Sequence, residues 1–540
     1  MADDTMIPHL SKKETVRYGL LLMTSLLAVY VICVWMRCRD AVSDHQAERF
    51  FVCTLVLTIT QVLSAFFYKQ IEKLALFAVI GYSLYEIILG VVQLAGWSES
   101  RHMLFRMTGS FMNPNLFGGF LAASSVIILA LLLSGQTKDR FKIILRIVLF
   151  AEVILIPATR CRSAYLAVVI CTLIILMQRY EPIKKMITDN KITVVSMTAV
   201  FVLFLLVWKQ QSTDGRMFIY RMGLMTIMNN GFKGGGLGHY QDMVSKTQLD
   251  FFHDRIPLSD GFFEIPQDIS EQCLLSGTPE YALCDPIQMG VEMGLAGVLL
   301  YFGVMSLTIC VLFIRKSPLL YGLIAVQITS LFSYTMYVPQ FQLIVAVCVG
   351  LAVSGQSKKA IPIVVLSFLL FLSFLLMRKT VLFKNTYYKE WQSDRIFYQA
   401  RDYDVYSNLC FEKDGRLDYS IDFLYEYGCS LAETECYDKS DSVLRIGADI
   451  FGNPAFYMKM GDNSLSQEQY EQAERYYWKA FCTVPNHITP LFGMAELYLN
   501  QGDTIKFNNM FQCIDSFNSK NSESRKQNML RTLKEKALEQ

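Results

Sequence analysis

Long apolar runs broken by short polar turns fill residues 18–377, and a polar stretch rich in Tyr and charge follows from 378 to 540. A hydrocarbon layer about 30 Å thick is crossed by roughly 20 apolar residues in helical form. On that measure the pattern predicts eleven spans, at 18–36, 50–68, 74–96, 116–134, 143–157, 163–178, 192–208, 289–313, 319–336, 342–354 and 361–377. The first run is too long for the core of a cleaved leader, and Met36-Arg37-Cys38-Arg39 is not a small-residue cleavage site. The expected class is all-α, a polytopic membrane helix bundle of about eleven spans over 1–377. A long loop, 209–288, should stand outside it between the seventh and eighth spans.

Composition agrees with the pattern. Of 540 residues, 53% are hydrophobic and 18% charged, against about 25% charged in ordinary globular proteins. Disorder, a coiled coil and a plain cytosolic enzyme are excluded on these numbers. A formal net charge of +2 gives no reason to expect nucleic acid as a partner. Lys and Arg are biased between the two sets of turns. With the N-terminus in the cytoplasm, the inner turns 1–17, 69–73, 135–142, 179–191, 314–318 and 355–360 carry 16 of them. The short outer turns carry 7, all of them Arg: Arg37, Arg39, Arg49, Arg101, Arg106, Arg160 and Arg162. Eleven crossings then place both the 209–288 loop and the tail outside.

An outer surface with Arg and no Lys has chemical meaning, because the planar guanidinium grips phosphate oxygens through two parallel hydrogen bonds. Arg37, Arg39 and Arg49 fit simple snorkelling to headgroups. Arg160 and Arg162 differ, since they sit in the tight turn Pro157-Ala158-Thr159-Arg160-Cys161-Arg162-Ser163 between two apolar runs. Charge at that depth is costly and tends to be functional.

Four patches now line up in order. They are Arg106-Met-Thr-Gly109-Ser-Phe111-Met-Asn113-Pro114-Asn115, Thr159-Arg160-Cys161-Arg162-Ser163-Ala164, Asp214-Gly215-Arg216-Met-Phe-Ile-Tyr220-Arg221 with the turn Gly234-Gly-Gly-Leu-Gly238, and Tyr281-Ala-Leu283-Cys284-Asp285-Pro-Ile-Gln288-Met-Gly-Val-Glu292-Met-Gly294. Together with Phe332-Ser-Tyr334 and Pro339 they resemble the O-antigen ligase and O-antigen polymerase superfamily over about residues 100–355. The resemblance implies a GT-C-like bundle that moves undecaprenyl-diphosphate-linked glycans at the outer face of the bacterial inner membrane, as in lipopolysaccharide biosynthesis. It implies no cofactor. The acceptor would be lipid A core, a growing glycan or a protein hydroxyl. One departure matters: where the family's fourth motif has His-Asn, this chain has Leu283-Cys284.

In such a transfer an acceptor hydroxyl attacks the sugar C1 as the C1–O–phosphate bond breaks, and the protein must stabilise the charge growing on the diphosphate. Preorganised Arg groups in a partly dry site serve this, each worth about 2.7–4 kcal/mol by analogy with oxyanion donors. The resemblance casts Arg216 as the main diphosphate clamp, with Arg162, Arg160 and Arg221 as helpers. Five residues apart on a helix, Arg216 and Arg221 point about 140° from one another, so both cannot face one phosphate. Arg106, Asn113 and Asn115 lie where a loop enters a helix. They suit either an anion at a helix N-terminus or an ordinary Asn cap before Pro114. His239, Asp285 and Glu292 are the candidates for the missing base, with Gln288 beside them as a substrate contact. Glu86 and Glu152, inside spans, read as neutral packing partners. The six His (His9, His45, His102, His239, His253, His487) form no ligand-spaced pair, so no metal is expected.

The glycine run has no preceding strand and no following Lys-Ser/Thr, which argues against a nucleotide loop and for a flexible turn beneath the glycan. In the tail, Tyr457, Gly461, Ala473, Tyr477, Ala480 and Pro485, then Leu491, Ala495, Tyr498 and Phe511, follow the 34-residue tetratricopeptide pattern. Residues 378–540 are therefore expected to be a helical-repeat domain that docks a partner or presents an acceptor. An oxidising exterior would permit Cys273 with Cys284, or Cys429 with Cys436. Two functions stand beside each other: a glycan transferase, and a non-catalytic scaffold that keeps the Arg cleft without the motif histidine.

Overall fold

The computed structural model describes residues 12–37, 44–135, 137–190, 196, 210–353, 386–418, 420–517 and 523–539. Helix accounts for 78% and no strand occurs among the described residues, so the fold is all-α. The bundle comprises α1 (Lys12–Arg37), α2 (Asp44–Leu94), α3 (Pro114–Ser134), α4 (Asp139–Thr159), α5 (Arg162–Arg179) and the short α6 (Glu181–Asp189). After α7 (Gln210–Asn230), α8 (Tyr240–His253) and α9 (Ser270–Leu275), the chain returns to the bundle through α10 (Asp285–Ile314), α11 (Leu319–Ser330) and α12 (Pro339–Val353).

Four helices are long and apolar enough to cross a membrane: Phe66–Leu94, Pro114–Ser134, Arg162–Arg179 and Asp285–Ile314. Gly19–Ala28, Leu319–Ser330 and Pro339–Val353 are shorter apolar helices. The expected spans 192–208 and 361–377 lie outside the described residues. The break expected at 69–73 falls instead at Phe67 (φ −128°, ψ 43°), which divides 44–94 into two helices, the second of them Phe66–Leu94. Its Lys69-Gln70-Ile71-Glu72-Lys73 contains no Gly or Pro, and all five residues propagate helix, so charge alone does not end it.

Local chemistry sets the ends that matter for the site. Asn113 caps α3, accepting from Asn115 N at 2.8 Å, with Pro114 at the first turn. Helix α4 stops where Arg160 turns left-handed (φ 52°), and α5 starts two residues later. Tight backbone approach holds these helices together, as small residues do in membranes. A Cβ on Gly118 would lie 2.6 Å from Thr159 Oγ1, and one on Gly119 3.2 Å from Thr329. Glu86 and Glu152 are fully buried. Glu86 accepts from Ser110 N at 2.9 Å and Glu152 from the Ser83 hydroxyl, so both serve as packing partners.

Outside the bundle, helix 386–399 leads into α14 (Tyr403–Phe411) and a run of short helices that pack consecutively. With 386–399 as α13, these continue as α15 (Ile421–Glu433), α16 (Tyr437–Phe451), α17 (Pro454–Ser466), α18 (Tyr470–Thr483), α19 (Thr489–Gln501), α20 (Thr504–Ser516) and α21 (Glu523–Glu539). Connections of three residues, such as 434–436 and 467–469, force neighbours to run antiparallel. Small residues make the pairs close: Tyr477 is buried between Gly461 and Gly493, and its hydroxyl donates to Asp462 at 2.8 Å. The first pairs form a core around Trp391, Tyr406, Phe423, Leu444 and Phe456.

The later pairs share a single core with residues 218–291. Phe251, Phe252, Ile256 and Phe263 pack with Tyr477, Trp478, Phe481, Leu491 and Tyr498. Asn486 Nδ2 lies 3.0 and 2.9 Å from the carbonyl oxygens of Cys273 and Ser276. The inter-span segment and the end of the tail thus form one body. Cys273, Cys284, Cys429 and Cys436 are all free thiols, so neither permitted disulfide is present.

Gly461→Val places a branched side chain where even a Cβ lies 2.6 Å from the Tyr477 ring. The expected cost is about 1–3 kcal/mol, as for overpacking generally, seen as a lowered Tm of the purified full chain. Gly277→Ala, with nothing within 4 Å of its Cβ, should leave Tm unchanged.

Candidate functional site

The site is built around a break in α10. At Gly294 the backbone turns out of the helix (φ 68°, ψ −179°), a conformation that only Gly adopts readily. The break frees the carbonyls of Val291 and Glu292, and the glycine run satisfies them. Gly235 N donates to Val291 O and Gly236 N to Glu292 O, both at 2.8 Å. The two segments meet backbone to backbone: a Cβ on Gly234 would lie 2.3 Å from Gly294 N, and one on Gly294 2.1 Å from Phe232 O. Tyr30 of α1 completes the seam by donating to Met293 O at 2.6 Å. The expected flexible turn is therefore a pinned one, because broken-helix carbonyls need donors where water is scarce.

Helix α7 lies along the first half of α10. Its Gly223 meets Ile287, its Ile227 meets Gly290, and Tyr220 donates to Leu283 O at 3.0 Å. This packing sets Arg216 beside the ends of two bundle helices. Arg216 Nη1 donates to Phe332 O at 2.9 Å, just beyond α11. Its charge is felt by Arg162 at the first position of α5, by Cys161, and by Tyr220, which it also hydrogen-bonds. Burial foremost, with Cys284 adding to it, pushes the Tyr220 hydroxyl up to about 12, so it stays protonated as a donor. No ion pair between Arg216 and a carboxylate is seen among the described residues. Arg162 and Arg216 thus set two guanidinium charges near one another at one end of the bundle.

Acidic groups sit one layer behind. Asp285, fully buried at the start of α10, accepts through Oδ2 from Thr335 Oγ1 (2.6 Å) and Met336 N (3.0 Å), while its Oδ1 has no protein partner. Glu292 accepts from Gln288 Nε2 at 3.2 Å, from Tyr337 OH at 2.5 Å and from the Gly238 backbone. Gln288 in turn accepts from Ala282 N at 3.0 Å. Next to Glu292, His239 Nδ1 lies 3.2 Å from Asp242 Oδ2. Burial raises the Asp242 carboxyl above the usual carboxylate range, against the pull of His239.

Of the sequence candidates, Asp285, Gln288 and Glu292 line the first half of α10, His239 stands beside Glu292 near the break, and Arg216 and Arg162 neighbour each other beyond the start of α10. Asn113 joins them, with its side chain hydrogen-bonded to Tyr334. Asn115 is drawn in through its backbone, its carbonyl accepting from Cys161 Sγ at 3.3 Å. Arg221 faces elsewhere, its guanidinium 5.1 Å from the Phe251 ring centroid, as the helical offset from Arg216 requires. Arg160 and Arg106 are exposed on the same end of the bundle.

Leu283 has left-handed backbone (φ 54°). Sequence reasoning missed Tyr220, Thr335 and Tyr337 as partners of the site. It also missed the stack of Tyr281 on Tyr334, with ring centroids 4.4 Å apart. Tyr220 and Tyr334 both lie inside quoted motifs, which was the available signal.

No protein-family model and no curated protein matches this chain.

Gly294→Ala puts a Cβ into the Phe232 carbonyl at positive φ. It should cost about 1–3 kcal/mol as stored backbone strain, lowering Tm and opening 232–238 to amide hydrogen exchange while α18–α20 stay protected.

Proposed function

We propose that this chain transfers a glycan en bloc from an undecaprenyl-diphosphate-linked donor to an acceptor hydroxyl at the outer face of a bacterial inner membrane. The observation that carries the reading is the convergence of Arg162 and Arg216 at one end of the bundle. It rests as well on the four motif patches, which meet around that pair. On this reading the chain crosses the membrane eleven times with its N-terminus in the cytoplasm. The 209–288 loop and the tetratricopeptide-like tail then stand in the periplasm.

The chemistry follows from the positions. The Arg pair holds the two phosphates, and the guanidinium forks take up negative charge as the C1–O bond breaks. The acceptor oxygen forms the new bond to C1, and its proton passes to a nearby base. Asp285 Oδ1 has no protein donor and could take that proton, but it is fully buried and would receive it through a relay. Both Glu292 oxygens are already bonded. His239, held by Asp242, offers a route for the proton to leave. Stacked Tyr281 and Tyr334 give the sugar an aromatic wall. Lipid A core, a growing glycan and a protein hydroxyl are all acceptors this geometry admits.

One observation favours a second reading, a non-catalytic scaffold. The motif-histidine position is Leu283, and its backbone carbonyl is committed to Tyr220. Complementation separates the two. Deleting the gene should remove a cell-surface polysaccharide or glycoprotein ladder on lectin blots, and wild type should restore it. Arg216→Ala should fail to restore it, with transfer reduced by about 10²–10³-fold, as for loss of one oxyanion donor. Restoration by Arg216→Ala at the wild-type level would overturn the transferase and leave the scaffold.

A further inference from the structure

Helix α7 has two faces. One buries Phe218, Met222 and Ile227, and Thr226 donates to Thr247 of α8 at 2.8 Å. The other is apolar and uncovered: Met217, Leu224 and Met228 are 59%, 52% and 82% exposed, and Phe232 just beyond is 66% exposed. At 100° per residue the first three fall within a stripe about 40° wide. Arg221 shares the stripe, its guanidinium turned back over Phe251. An apolar stripe of this kind in open water would be unfavourable by about 25 cal/mol per Å².

The anchors of α7 say where it lies. They are, in order along it, Phe332 after α11, Leu283 before α10, Gly290, and the Gly294 break beside Tyr30 of α1. Arg162 at the start of α5 stands by its first turns. Phe332 and Leu283 stand just outside the ends of α11 and α10, and Gly290 and Gly294 lie within the first ten residues of α10. Helix α7 therefore runs beside the first third of α10, at the outer end of a helix long and apolar enough to cross a membrane. The loop between α2 and α3 stands at that end too. It presents exposed Trp97, Met103 and Leu104 beside exposed Arg101 and Arg106, and is fixed by Gln93, which accepts from Thr108 N and Gly109 N.

We propose that α7 lies in the outer headgroup layer of the bilayer, with Met217, Leu224, Met228 and Phe232 directed into the acyl boundary and Arg221 reaching back to the headgroups. Exposed Leu295 and Leu299 follow on α10 just beyond the break, so the apolar surface goes on into the span, and the Arg residues around the stripe match anionic headgroups. This placement would keep Arg216 at the depth of a lipid-linked phosphate. It rests on the bundle being embedded in a membrane, and not on which glycan is moved.

The test uses the full chain in vesicles of phosphatidylethanolamine and phosphatidylglycerol, with and without brominated acyl chains. Leu224→Trp and Met228→Trp are each read against the wild-type background. Phe411→Trp, on the exposed surface of α14, is the water reference. The added emission at 224 and 228 should be lost with brominated chains and resist aqueous iodide, and that at 411 should do the reverse. Quenching of both new tryptophans by iodide, as at 411, would overturn the proposal. So would shielding from both quenchers, which would mean that protein covers the stripe. Neither result depends on transferase activity, so a failure here leaves the Arg216→Ala complementation outcome to be judged separately.

Discussion

The backbone seam between the glycine run and the broken α10 is the constraint on which the rest depends. Two hydrogen bonds of 2.8 Å, from Gly235 and Gly236 to Val291 and Glu292, satisfy carbonyls that a straight helix would have satisfied internally. Free carbonyls at the edge of a membrane bundle are costly, so helix break and glycine run require one another. Their contact fixes the end of α7, and α7 in turn carries Arg216 to Arg162. Asp285, Gln288 and Glu292 ride on the short half of α10 that the break sets apart. A side chain at Gly234 or Gly294 would therefore collide with the backbone on the other side of the seam, next to Glu292.

The outer body extends this logic. Helix α8 begins at His239 and packs its length against α18, while Gly452 of the tail approaches Asp242 so closely that a Cβ there would lie 3.1 Å from its Cα. The tail is thus built into the wall of the site.

Much of this was legible in the sequence. Apolar runs mark α3, α5, α11 and α12 because burial in an apolar layer leaves no room for polar interruption. Asn113-Pro114 marks the start of α3 because a side-chain acceptor and a fixed φ both favour that end. The five-residue offset between Arg216 and Arg221 foretold their divergence. Other features were hidden. The kink at Phe67 has no Gly or Pro to announce it, and Lys69 to Lys73 look like a turn although each propagates helix. Gly294 sits in a run that reads as continuous helix, since its break is decided by the distant partner at 234–236. The core shared by residues 218–291 and 473–533 joins segments some two hundred positions apart, and no local pattern carries such a contact.

The central claim is that the seam brings Arg162 and Arg216 together to hold a lipid-linked diphosphate. Native mass spectrometry of the purified full chain in nanodiscs, titrated with undecaprenyl diphosphate, tests it most directly. The account predicts saturable binding by wild type, weaker binding by Arg162→Ala or Arg216→Ala, and none by the double variant with its Tm unchanged. Binding by the folded double variant as tight as wild type would contradict it.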